Sequence, residues 1–86
     1  MSVLEIEQAD RPALLRGDFG QNETLRKRSR ILAVRMDRPF TVETDRGIMT
    51  GVPGDWLVTN HPDDDPDSDL WTISAERIQS TYEPEG

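Results

Sequence analysis

The run Val52-Pro53-Gly54-Asp55-Trp56-Leu57-Val58 constrains this chain more than any other stretch. Proline presets φ near about −65° and glycine accepts the positive φ required next, so Pro53 and Gly54 suit the central positions of a type II turn. An aspartate in the next position hydrogen-bonds backbone N–H groups of such a turn. Pro53, Gly54 and Asp55 are therefore read as a structural turn that opens a strand over residues 56–59.

The segments around this turn are also β-prone. Ile31, Leu32, Ala33 and Val34 place apolar side chains on both faces of a strand over residues 30–36, the mark of a central strand. Residues 40–44 and 48–52 flank Asp45-Arg46-Gly47, a hairpin with a three-residue turn in which Gly47 takes φ > 0. Residues 60–69 read as loop and 70–73 as strand, after which Ser74 caps a short helix over 75–79. Upstream, residues 3–6 alternate weakly, Asp10 caps a helix over 12–16 that Gly17 ends, and 18–24 read as loop. The expected division is an N-terminal extension over 1–25, one β-rich domain over 26–83 and a frayed tail over 84–86. The expected class is mainly β, bordering on α+β: a small antiparallel sheet of four or five strands curled into a roll or half-open barrel with one or two short helices.

With 86 residues this is one domain's worth of chain, and such a domain hides only about 60–65% of the surface its unfolded chain exposes. The absence of cysteine removes disulfides, thiolate catalysis and cysteine-based zinc sites. No apolar run approaches membrane-spanning length and residues 1–10 lack a signal-peptide pattern, so a soluble, cytoplasmic protein without membrane contact is expected. The net charge of −7 is unevenly laid out. Residues 23–46 hold seven Lys and Arg against four Asp and Glu, whereas residues 47–86 hold nine acids against one arginine.

Arg26-Lys27-Arg28, Phe40-Thr41-Val42-Glu43-Thr44, Gly47, Met49, Gly51, Pro53-Gly54-Asp55-Trp56, Ile78 and Thr81-Tyr82-Glu83 form an ordered series. Together they resemble the small PGDYG-type domains of bacteria and phages, over roughly residues 26–83. That family pattern has a leading basic strand, a Thr-x-x-Gly hairpin, a Pro-Gly-Asp-aromatic turn and a closing Thr-Tyr-Glu. The resemblance implies a compact β-rich domain, often associated with phages or mobile elements, and no established activity. Two features depart from it: Leu57 stands where the name motif has its second Gly, and the acidic stretch 63–69 replaces a Gly-Glu-x-Tyr-Pro link.

Several residues invite a chemical role. Asp63, Asp65, Asp67 and Asp69 alternate like the start of a calcium loop, but Ser68 and Ser74 occupy the positions that need Gly and a bidentate Glu, so no metal is expected. A catalytic His61 needs a nucleophile or carboxylate orienter held beside it, and nothing in the sequence forces Thr72, Ser74 or the Asp cluster into that place, so the expectation is no catalytic residue and no cofactor. Arg26, Lys27, Arg28 and Arg30, with Arg35, Arg38 and Arg46, form a basic segment suited to phosphates, against which the acidic remainder disfavours nucleic acid. Phe40, Trp56 and Tyr82 read as packing residues, and Trp71, beside the acidic loop, as an exposed anchor.

The functional expectation is a non-enzymatic protein-interaction module, of phage or mobile-element association, whose partner is a protein with a basic surface. Its partner-binding residues would be Trp71, Asp63, Asp64, Asp65, Asp67 and Asp69. An alternative is an acidic nucleic-acid mimic that inhibits a DNA-binding protein through 63–69 with Glu76, Glu83 and Glu85. A third is a small-ligand or hydrolytic site near His61 and Asp55. Oligomeric state is left open.

Overall fold

In the computed structural model, which describes residues 3–84, the Pro53-Gly54 turn anchors one end of the larger of two sheets. Gly54 has φ +97°, and the Asp55 N–H donates to the Val52 carbonyl at 2.9 Å, closing the turn. The Gly54 N–H donates to the Met36 carbonyl at 2.8 Å and the Met36 N–H to the Asp55 carbonyl at 2.9 Å, which ties the turn to the end of the central strand.

The chain runs through β1 (Leu4–Ile6), a single 3-10 turn (Gln8–Asp10), α1 (Arg11–Leu15), β2 (Asn22–Arg26), β3 (Arg30–Arg35) and β4 (Phe40–Thr44). It continues through β5 (Gly47–Gly51), β6 (Trp56–Asn60), β7 (Leu70–Ile73), α2 (Ala75–Thr81) and β8 (Glu83–Pro84). The smaller sheet has the order β1-β4-β5, with β1 parallel to β4; the larger has the order β7-β6-β3-β2-β8 and is antiparallel throughout. The fold is thus mainly β with two short helices, and β3 is the central strand that its two-sided apolar pattern predicts.

Four local expectations need correction. Asp10 does not cap α1 with its side chain: its carboxylate accepts from the Glu7 N–H at 2.9 Å, within the preceding 3-10 turn. Residues 22–24, expected as loop, begin β2 and pair with Val34, Ala33 and Leu32. Leu25 is the one fully buried side chain of that strand, so no alternation reveals it. The leading basic strand is instead the end of β2 followed by a turn at residues 27–29. In the β4–β5 hairpin Thr44 pairs with Gly47, leaving a two-residue turn at Asp45-Arg46 where neither residue has positive φ; Gly47 itself takes φ +118°.

Residues 3–25 belong to the same body as the rest: β1 extends the smaller sheet, Ile6 and Leu14 are buried in the core, and β2 lies beside β3. Pro84 pairs with Leu25 in β8, whereas residues 85–86 of the expected tail lie outside the described residues.

Strand alternation gives the larger sheet a core on each face. One face joins the smaller sheet and α1 through Ile6, Leu14, Val34, Met36, Phe40, Val42, Leu57 and Leu70. The other face holds Leu25, Ile31, Ala33, Val58 and Ile73 beneath Ile78 of α2. Each large apolar side chain so buried contributes about 1.5–3 kcal/mol relative to exposure, which makes the two-sided β3 and β6 the centre of stability.

Candidate functional site

α2 starts where two side chains hold it. Ser74 Oγ accepts from the Arg77 N–H at 3.2 Å, and Asp55 Oδ1 accepts from the Ala75 N–H at 3.2 Å. The second Asp55 oxygen accepts from the Val52 N–H at 3.0 Å. Asp55 therefore joins the Pro53-Gly54 turn to the helix start, the structural role read for it.

The helix covers only part of its sheet face. Val58 pairs with Trp71 and Trp56 with Ile73, so both tryptophans project to the α2 side, where they and Tyr82 are half-buried against the core. Two shallow cavities result. One, about 280 Å³, is apolar and lined by Leu25, Trp56, Ile78 and Tyr82, with Glu23 at its rim. The other, about 320 Å³, is lined by Trp71, Thr72, Arg77 and Tyr82 among others. Trp71 is thus partly packed where an exposed anchor is expected, and Trp56 and Tyr82 share its surroundings.

The acidic loop is built around two cations, Arg11 and Arg30, of which only Arg30 stands out in the sequence. Arg11 is 9% exposed; its Nε donates to Thr59 Oγ1 at 2.8 Å, and its other nitrogens donate to the carbonyls of Asn60, Asp65 and Pro66. Before Pro12 and a helix start, Arg11 reads as an ordinary surface residue, and no pattern marks it. Asp64 accepts three hydrogen bonds from Arg30, two from the guanidinium at 2.9 and 3.3 Å and one from the backbone N–H at 3.3 Å. The Arg30 hydrogen bond holds the Asp64 carboxyl below its ordinary value, against a smaller opposing desolvation. Asp65 Oδ1 accepts from the Asp67 N–H at 3.2 Å, while Asp63, Asp67 and Asp69 are exposed. Among the described residues no group of three or more His, Cys, Asp or Glu is arranged to hold a metal.

The other acidic candidates scatter. Glu76 sits in the first turn of α2, at the Asp55 end, and Glu83 in β8, opposite Arg26 at the other end. Glu85 lies outside the described residues. His61 and Asp55 flank the two ends of β6, about 20 Å apart at strand rise, so they do not share a site. His61 Nδ1 accepts from the Asp63 N–H at 3.1 Å, a local loop contact. The basic segment and the acidic loop, far apart in sequence, lie side by side, since the His61 N–H donates to the Arg30 carbonyl at 3.0 Å.

Gln8 closes the opposite boundary between the sheets. Its Nε2 donates to the carbonyls of Glu43 at 2.7 Å and Leu70 at 3.0 Å, and its Oε1 accepts from the Leu70 N–H at 2.6 Å. A side-chain amide thereby serves the edge of β7 as a strand backbone would.

Comparison with protein-family models, with curated proteins and with solved structures finds no match for this chain.

Proposed function

We propose that this chain is a non-enzymatic protein-interaction module that binds a partner segment in the apolar groove beside α2. The observation that carries the reading is the groove formed by Leu25, Trp56, Ile78 and Tyr82, where half-buried aromatic rings offer contact area at small cost in side-chain entropy. Glu23 is the charged residue at its rim among the described residues, and the chain carries −7 overall, so the occupant is a segment with one large apolar side chain next to Lys or Arg. This relocates recognition from the acidic loop, where Asp64 is occupied by Arg30 and Asp65 by the loop itself. The resemblance to PGDYG-type domains adds a phage or mobile-element setting to the proposal.

Selection from a displayed random peptide library tests it. Enriched peptides should pair a large apolar residue with a neighbouring Lys or Arg. They should bind Tyr82→Ala at least about tenfold more weakly, the loss of a modest anchor, with unchanged amide dispersion as the check on folding. Failure to enrich any peptide, or equal binding by Tyr82→Ala, overturns the reading.

A further inference from the structure

Arg26 and Arg30 are register partners in the β2–β3 hairpin, like charges set directly opposite each other. Such a pair is destabilising unless counter-charged. Arg30 has its counter-charge in Asp64. Arg26 faces Glu83 across β8, yet no carboxylate lies within 4.0 Å of Arg26, Lys27 or Arg28 among the described residues. Arg26, Arg28, Ser29, Arg30 and Asp64 line one open polar cavity of about 440 Å³. Arg26 and Arg28 bring two guanidinium groups to this cavity, beside Ser29 and the Asp64-bound Arg30, and each planar fork matches two oxygens of a tetrahedral anion.

We propose that this hairpin end is a phosphate-recognition site that takes a phosphorylated serine or threonine on a partner protein. The surroundings select a compact anion over a polyanion. Asp63 lies 4.0 Å from Arg30, Asp64 closes one wall and Glu83 stands opposite Arg26, so a nucleic-acid backbone running through the cavity meets carboxylates on both sides. The net charge of −7 adds long-range repulsion that grows with ligand charge. A single phosphate, close to dianionic at neutral pH, supplies a counter-charge to Arg26 and Arg28, which have no carboxylate within 4.0 Å among the described residues, and meets fewer of these carboxylates than a polyanion does. The site stands apart from the groove beside α2, and its test is independent of that reading.

The experiment follows backbone amide shifts at neutral pH and about 0.15 M ionic strength, where surface charges beyond a Debye length are screened. The probes are inorganic phosphate, a glycine peptide carrying one phosphoserine, the same peptide unphosphorylated and a single-stranded oligothymidylate. Saturable shifts at residues 26–30 are expected with phosphate and the phosphopeptide and none with the unphosphorylated peptide. Arg26→Gln and Arg28→Gln should each weaken binding at least about fivefold, the loss of one charge-assisted fork, while both exposed sites leave the remaining amide pattern in place. Absence of saturation, or unaltered binding by both variants, overturns the site. Tighter binding of the oligothymidylate than of the phosphopeptide overturns the choice of ligand in favour of nucleic acid.

Discussion

Arg11 Nε donates to Thr59 Oγ1 at 2.8 Å between two buried side chains, and no carboxylate lies within 4.0 Å of that guanidinium among the described residues. A buried charge held by neutral oxygens depends on every one of them. Removing it leaves the Thr59 hydroxyl and three carbonyls to find other partners. Arg11→Ala should cost about 2–4 kcal/mol in urea unfolding, and Thr59→Val about 1. Hydrogen exchange provides the second readout: residues 61–69 should exchange faster in Arg11→Ala, because the bonds to Asn60, Asp65 and Pro66 fix that loop. Unchanged loop exchange would show that the loop holds itself.

Two glycines of β5 should respond to alanine for different reasons. A Cβ on Gly51 would lie closer than 3.0 Å to the Phe40 ring, which is 1% exposed and has little room to retreat. Gly51→Ala should cost about 1–3 kcal/mol and shift the Phe40 ring resonances, as overpacking does. At Gly47 nothing lies within 4 Å, but φ is +118°. There the cost should be about 1 kcal/mol of backbone strain, with the Phe40 resonances unmoved.

The parts of this fold legible in the sequence are those where one residue type answers one local demand. Gly54 supplies the positive φ, Ser74 the helix cap, and residues 31–34 the two-sided apolar run of a central strand. The illegible parts depend on partners distant in the chain. β2 buries one residue fully and draws its order from β3 and β8. Arg11 and Gln8 act on residues roughly fifty and sixty positions away, and their meaning exists only after both sheets have met. The candidate site shares this division: Trp71 stands out as an isolated aromatic, while its grouping with Trp56 follows from strand register and with Tyr82 from the packing of α2 on the sheet.

Acid should separate Asp64 from the other loop carboxylates. Its folded carboxyl is lowered from 3.8, chiefly by the Arg30 hydrogen bond. Because the folded value is depressed, the stabilisation is complete above the unfolded value and fades as pH falls through the folded one. The stability difference between wild type and Asp64→Asn should be constant near neutrality and shrink below about pH 4, the ordinary carboxyl range. Added salt should reduce it at every pH, since the pair is solvent-exposed. A difference that grows on acidification would contradict the Arg30–Asp64 assignment.

The joint between turn and helix gives the last expectation. Asp55 accepts from Val52 N–H with one oxygen and from Ala75 N–H with the other, so a single carboxylate serves the closing turn and the first residue of α2. Asp55→Ala should cost about 1–2 kcal/mol, the range of a lost helix cap. The damage should extend beyond the turn, because α2 covers the second core: exchange should quicken at Ile78 in the middle of the helix and at Tyr82 just past its end. Gly54→Val tests the turn alone. With φ at +97° and no atom within 4 Å of a built Cβ, its cost is backbone strain of about 1–3 kcal/mol. Pro53→Ala, which loses only a preset φ, should cost less than about 1. If Gly54→Val disturbs α2 as much as Asp55→Ala does, the turn conformation and not the carboxylate sets the helix start. If only Asp55→Ala reaches Ile78, the carboxylate is the link.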